Sequence, residues 1–268
     1  MHAAILTDLT RCTGCEACVW ACKEVNGLPR ADGAKKLAAT SLTVIERRQG
    51  IPIRRQCLHC LEPACVSVCP VGALKKTAAG AVIYEGDRCV GCRYCMLACP
   101  FGVPTYEWDK PLPLVSKCSL CFEQRLSQGL EPACTAACPS GATIFGDRAE
   151  LVREAERRIA ADPGRYVDHI YGLHEAGGTS VLYLSDVPFA TLGFRMPSST
   201  DPYPRLTWQI LSKLPNVVSV GGALMVGLWW VIQRRQALAN HPELPAAAPK
   251  SPSSSTSPTP SATPERRE

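Results

Sequence analysis

The chain has 268 residues, a net charge of +5 and sixteen cysteines, all between Cys12 and Cys138. A chain this long needs no disulfide staples, and its basic residues are scattered, as in Arg54-Arg55, Lys75-Lys76 and Arg157-Arg158, which speaks against nucleic acid as a partner. An aromatic fraction of 6% is thin for a core built from side chains alone, so something else is expected to fill the interior of the first half.

Eleven residues precede Cys12 without a basic start and apolar run, so no targeting segment is expected in the sequence as written. Four cysteine motifs follow. Cys12, Cys15, Cys18 and Cys22 read C-x2-C-x2-C-x3-C, and Cys89, Cys92, Cys95 and Cys99 repeat that spacing. Cys57, Cys60, Cys65 and Cys69 have a wider middle gap, and Cys118, Cys121, Cys134 and Cys138 have twelve residues there. Three motifs end in Cys-Pro. Glu62-Pro63-Ala64-Cys65 recurs as Glu131-Pro132-Ala133-Cys134, and Cys69-Pro70-Val71-Gly72-Ala73 recurs as Cys138-Pro139-Ser140-Gly141-Ala142, so the region reads as a duplicated two-centre unit.

After each Cys-Pro a glycine signals a turn, and short apolar runs at 81–84 and 142–145 read as strands of small α+β units. Residues 147–161 read as an amphipathic helix with Asp147 as N-cap, Glu150 completing a capping-box-like pair, and Leu151, Ala155 and Ile159 on one face. A strand is expected at 179–184 after Gly177-Gly178, and 196–213 reads as a linker. Residues 214–233 carry no charge and end in Trp229-Trp230 beside Arg234-Arg235, the pattern of a membrane-spanning helix with interfacial anchors. The helix contains no His to ligate a haem. The Pro-, Ser- and Thr-rich remainder, 234–268, is expected to be disordered.

Thiolates bind iron–sulfur clusters and zinc alike, and spacing separates the two. A tight C-x2-C-x2-C turn brings three thiolates to three corners of a cubane, and the last cysteine of such a run, before Pro, ligates the other cluster in two-cluster ferredoxins. Zinc sites use two C-x2-C pairs and have no use for a third cysteine followed by x3-Cys-Pro. No C-x-x-C is followed by His, as haem attachment would need, and His59 reads as a packing residue. No P-loop, G-x-S-x-G, H-E-x-x-H or G-x-G-x-x-G is present, so the chain reads as an electron carrier and not as the site of substrate chemistry. A free-standing membrane ferredoxin and a zinc-stabilised interaction protein are the other readings. Arg11, Arg88, Arg93 and Lys117, beside the motifs, are candidates to offset cluster charge, or simply solvated surface cations.

From about residue 5 to 190 the chain resembles the four-cluster iron–sulfur subunits of bacterial respiratory oxidoreductases. Within them it is most similar to the iron–sulfur partner of hydrogenase-2-type nickel–iron enzymes. The residues that carry this likeness are Gln56-Cys57-Leu58-His59-Cys60, Cys65-Val66-Ser67-Val68-Cys69-Pro70-Val71-Gly72-Ala73-Leu74-Lys75-Lys76, Gly91-Cys92-Arg93-Tyr94-Cys95-Met96, and the segment from Tyr171-Gly172 to Val187-Pro188. Formate dehydrogenase β-subunits share the cysteine plan and the anchor.

The resemblance implies four 4Fe-4S clusters in two interleaved ferredoxin-like domains, one of residues 1–50 with 110–146 and one of 51–109, followed by a 147–195 extension. Duplication alone would pair motif one with two and three with four; the family pairs one with four and two with three, crossing the last cysteines. One cluster would then use Cys12, Cys15, Cys18 and Cys138, and its partner Cys118, Cys121, Cys134 and Cys22. The second pair would use Cys57, Cys60, Cys65 and Cys99, and Cys89, Cys92, Cys95 and Cys69. Implied partners are a hydrogenase or molybdopterin catalytic subunit and an integral membrane quinone-reactive subunit. The implied location is the inner membrane with the head in the periplasm, exported with a signal-bearing partner. The first motif departs from the pattern by ending Cys22-Lys23 instead of Cys-Pro.

Overall fold

The computed structural model describes residues 2–30, 34–108, 110–111 and 113–240, so residues 241–268 of the expected disordered tail lie outside it. The central strand is one the sequence reading did not name. Strand β1, Ala3–Asp8, pairs antiparallel with β8, Thr143–Asp147, and parallel with β9, Val181–Leu184. All six residues of β1 are buried, because both faces of the sheet are covered, and a strand covered on both faces shows no polar alternation in sequence.

One face puts Ala4, Leu6, Leu182 and Leu184 against Leu151 and Ala155 of helix α5, Arg148–Ala161. The other puts Ala3, Ile5, Val181 and Tyr183 against Leu58, Leu120, Phe189 and Phe194. Helix α5 has the N-cap its sequence indicates: the Asp147 carboxylate accepts the Ala149 N–H at 3.0 Å, while its second oxygen takes the N–H of His2 at 2.8 Å. Its far end is tied to β1. The fully buried Asp8 accepts from the Thr10 N–H and hydroxyl, from the Tyr166 hydroxyl at 2.9 Å and from Arg158 Nη1 at 3.1 Å.

Three two-stranded hairpins surround the motifs. Strands β2, Val44–Arg48, and β3, Ile51–Arg55, are joined by Gln49-Gly50, both at positive φ, which suits the right-handed twist of the pair. Strands β4, Leu74–Lys76, and β5, Val82–Tyr84, form the second, and β6, Thr105–Tyr106, with β7, Val115–Ser116, the third. Each cysteine motif feeds a short helix: α1 at Ala17–Val25, α2 at Ala64–Ser67, α3 at Tyr94–Ala98 and α4 at Ala133–Ala136. Helix α1 packs on α4, and α2 on α3.

Two expectations change at the C-terminal end. The stretch expected as a linker carries helix α6, Tyr203–Leu211, started by proline in its first turn, where the missing N–H costs nothing. The apolar helix, α7, runs Leu214–Ala239, past residue 233 and into the first residues expected to be disordered, because Gln233 to Leu238 are good helix formers. The described residues divide into two units, one ending at Ser212 and one beginning at Lys213. The helical stretch Tyr203–Ala239 is long and apolar enough to cross a membrane, and none of its apolar window is buried against protein.

Candidate metal centres

The sixteen cysteines are all free, and their neighbours in space are not their neighbours in sequence. Cys12, Cys15 and Cys18, around the turn into α1, line a hollow together with Cys138, which follows α4. Cys89, Cys92 and Cys95, around the turn into α3, line a second hollow with Cys69, which follows α2. The two hollows are alike: each is lined by three thiols from a turn and a fourth that follows a different helix. The other two groups show in the charges each thiol feels. Cys22 has Cys134 and Cys121 beside it, and Cys118 has Cys22 and Cys134; Cys60 has Cys57, Cys99 and Cys65. Among the described residues no group of three or more Cys, His, Asp or Glu converges tightly enough for a single metal ion.

Around several of the sulfurs the backbone is bent to present N–H groups. Gly14 and Glu16 in the first motif and Gly91 and Arg93 in the third all take positive φ, and Leu120 and Cys121 do so in the fourth. Non-glycine residues rarely adopt this conformation, and its cost is of a kind found where a ligand must be wrapped. The Gly91 N–H points at Cys89 Sγ (3.4 Å), the Leu120 N–H at Cys118 Sγ (3.3 Å), the Val103 N–H at Cys99 Sγ (3.5 Å) and the Ala73 N–H at Cys69 Sγ (3.2 Å). The Cys-Pro-x-Gly turns explain the last two: glycine at positive φ folds the following amides back over the sulfur, and such a nest of N–H groups favours an anion.

The thiols divide by environment. Burial pushes Cys18 and Cys95 up to about 11 and Cys22 and Cys65 up to about 12, so without metal they are protonated, and metal binding must displace their protons. At Cys69 and Cys138 burial also pushes upward, but the ring of backbone N–H groups outweighs it and the thiols are lowered. Thiol exposure is uneven as well. Cys15 and Cys92 are open to solvent, whereas Cys22, Cys118, Cys121 and Cys134 are buried.

The cations near the motifs behave differently from one another. Arg11 and Arg88 pair with carboxylates of Asp8 and Glu85, and Arg93 lies 4.9 Å over the rings of both Tyr106 and Trp108. Lys117 is buried, its ammonium donating to the carbonyls of Val82 and Cys118. His59 is fully buried; its Nδ1 accepts the Val82 N–H, and burial with Lys117 and Lys76 nearby keeps the imidazole neutral. One cation went unnoticed in sequence. Arg54, on β3, is buried beside Cys134, Cys18 and Cys118, and only coverage of both faces of its hairpin makes it internal.

A thiol quartet, inward amides and internal cations are what an anionic iron–sulfur cubane needs: four soft ligands, hydrogen bonds to sulfur and countercharge. Comparison with known proteins agrees. Residues 50–148 match a family described as a 4Fe-4S dicluster domain. The chain is 41% identical over 252 residues to a protein of Nitratidesulfovibrio vulgaris, covering 88% of this chain and 68% of that one. It is 39% identical over 233 residues to the hydrogenase-2 operon protein HybA of Escherichia coli (70% and 71% covered). It is 36% identical over 202 residues to the nitrate-inducible formate dehydrogenase iron–sulfur subunit of Escherichia coli (68% of each chain).

Proposed function

Because the chain belongs to the iron–sulfur subunit family that includes HybA and the formate dehydrogenase iron–sulfur subunits, we propose that it carries electrons through four 4Fe-4S clusters between a catalytic subunit and the membrane. The proposed ligand sets are Cys12, Cys15, Cys18 and Cys138; Cys118, Cys121, Cys134 and Cys22; Cys57, Cys60, Cys65 and Cys99; and Cys89, Cys92, Cys95 and Cys69. The two ferredoxin-like halves are accordingly interleaved, an arrangement supported by the packing of α1 on α4 and α2 on α3.

The observation that carries this reading is the order of the four quartets. Cys18 of the first has Cys134 of the second as a neighbour; Cys118 of the second has Cys57 of the third; Cys65 of the third has Cys95 of the last. These adjacencies support reading the four quartets as a line. Its two exposed thiols, Cys15 and Cys92, belong to the first and last quartets, and the wholly buried quartet stands between. Neighbouring centres, with an exposed thiol in the first set and another in the last, are what a relay between two partners requires, and neither charge storage nor stapling of a fold calls for them. When bound, each cluster takes up and gives up one electron at a time, at a potential set by local charge, hydrogen bonds and exposure. The residues supply the rest: amides aimed at sulfur, internal cations, and walls that keep water from the middle of the line.

The favoured catalytic partner is an uptake hydrogenase, with electrons leaving to an integral membrane subunit that reacts with quinone, and α7 as a single-pass anchor. The head is proposed to face the periplasm, with Arg234 and Arg235 on the cytoplasmic side of the helix. The formate dehydrogenase matches support a second reading, in which the catalytic partner is a molybdopterin enzyme. In native membranes, hydrogen is expected to reduce the clusters, seen as new electron paramagnetic resonance signals that vanish when this chain is deleted. Reduction by formate alone favours the second reading, and reduction by neither overturns both.

A further inference from the structure

Arg54 is 1% exposed, yet two of its three guanidinium nitrogens, Nε and Nη1, have no hydrogen-bond partner among the described residues. The third donates to Gln56 Oε1, and the Gln56 amide nitrogen is itself unpartnered and buried. The strand carbonyl of Arg54 is held by the Tyr183 hydroxyl at 2.9 Å, so the backbone beneath the guanidinium is anchored in the core. A buried cation with unmet donors is among the most costly groups a fold can carry, and it persists only where an anion answers it.

The position of this cation narrows what the anion is. Arg54 lines the hollow formed by Cys12, Cys15, Cys18 and Cys138. Its strongest electrostatic neighbours are Cys134 and Cys18, followed by Tyr183 and Cys118, and Cys12, Cys22 and Cys121 all feel its charge. Those six thiols belong to two different quartets. Protonated thiols offer the guanidinium no charge; four thiolates around an iron–sulfur core do, and the arginine has thiols of both quartets as neighbours.

We propose that Arg54 is a countercharge shared by two neighbouring clusters, those of Cys12, Cys15, Cys18 and Cys138 and of Cys118, Cys121, Cys134 and Cys22, donating its free N–H groups toward their sulfurs and raising both potentials together. The proposal rests on the four-cluster reading above. A reduced cluster carries one more negative charge than an oxidised one, so a fixed cation favours reduction, and a cation between two clusters favours it in both. Gln56 acts as a positioning residue that steers the guanidinium edge. The other two quartets lack this arginine and have Lys117 and Lys76 near them instead, each already occupied with backbone carbonyls.

The test uses full-length protein purified without oxygen: wild type, Arg54→Gln, Arg54→Lys and Gln56→Glu. Iron and sulfide are counted first, then each sample is titrated against redox mediators while the cluster signals are followed by paramagnetic resonance. If wild type lacks four clusters, the four-cluster reading fails, whatever Arg54 does. With four present, Arg54→Gln is expected to lower the reduced-to-oxidised ratio of two clusters by about tenfold at a fixed potential, which is about 59 mV for one electron, and to leave the other two unmoved. Arg54→Lys, which keeps the charge, should recover most of that ratio. Gln56→Glu, which neutralises the arginine in place, should lower the same two, and it reports even if Arg54→Gln fails to hold its iron. The proposal is overturned if Gln56→Glu leaves all four potentials unchanged, or if the variants move one cluster only or all four equally.

Discussion

Substituting Arg158 with alanine removes the one cation that reaches the fully buried Asp8 from helix α5, and the cost can be worked from the contacts. Arg158 is 9% exposed; it donates to Asp8 at 3.1 Å and to Glu154 at 2.7 Å. Breaking a buried pair by removing one partner costs about 3–5 kcal/mol, because the remaining charge stays buried. Asp8 keeps the Thr10 N–H, the Thr10 hydroxyl, the Tyr166 hydroxyl and the half-exposed Arg11 guanidinium at 3.5 Å, which places the loss at the lower end, about 3 kcal/mol. At roughly 2–4 °C per kcal/mol for a unit of about two hundred residues, the melting temperature should fall by roughly 6–12 °C. The assay is loss of cluster absorbance and of far-ultraviolet ellipticity on heating. Arg157→Ala is the control: that arginine grips the same Glu154 but is exposed, so its loss should leave the melt unchanged. Arg158→Lys keeps a charge but cannot reach both carboxylates, and should recover only part. An Arg158→Ala melt that overlays wild type, or an equal drop in Arg157→Ala, would refute the assignment of this energy to Asp8.

Cys138→Ser is expected to damage the centre held by Cys12, Cys15 and Cys18 and spare that of Cys118, Cys121 and Cys134; loss confined to the latter would contradict the proposed crossing. Leu224→Arg places a charge mid-way along the apolar segment and should cost about 3–4 kcal/mol of insertion, so carbonate extraction should release the variant while wild type stays with the membrane. His2 is lowered below its usual 6.5 by burial first and by Lys76 and Arg148 next. The unfolded chain therefore binds a proton near and just below pH 6.5 that the folded chain does not, and stability should fall as pH is lowered through 6.5. Melts of His2→Asn across that range should be flatter; an identical pH dependence in wild type and variant would exclude His2 as its source.

Spacing made all sixteen thiols legible, and the Cys-Pro-x-Gly turns could be read before their amides were seen folded over sulfur. Helix α5 was readable from Asp147 and the Leu151, Ala155 face because it is amphipathic and half exposed. Strand β1 was not, since a strand covered on both faces loses its alternation. Which thiols sit together was beyond spacing: the duplication suggests consecutive pairs, whereas α1 packs on α4 because β1 and β8 draw the two ends of the cysteine region into one sheet. Arg54 was hidden for the same kind of reason. In sequence it is half of an Arg-Arg pair like others on the surface, and only the tertiary covering of its hairpin turns it inward.

The most direct measurement is the iron and acid-labile sulfide content of full-length protein purified anaerobically from membranes. Four cubanes on sixteen thiolates predict about sixteen irons with matching sulfide per chain, with signals from four interacting clusters on reduction. Protein that instead carries stoichiometric zinc and no sulfide would contradict the account at its centre.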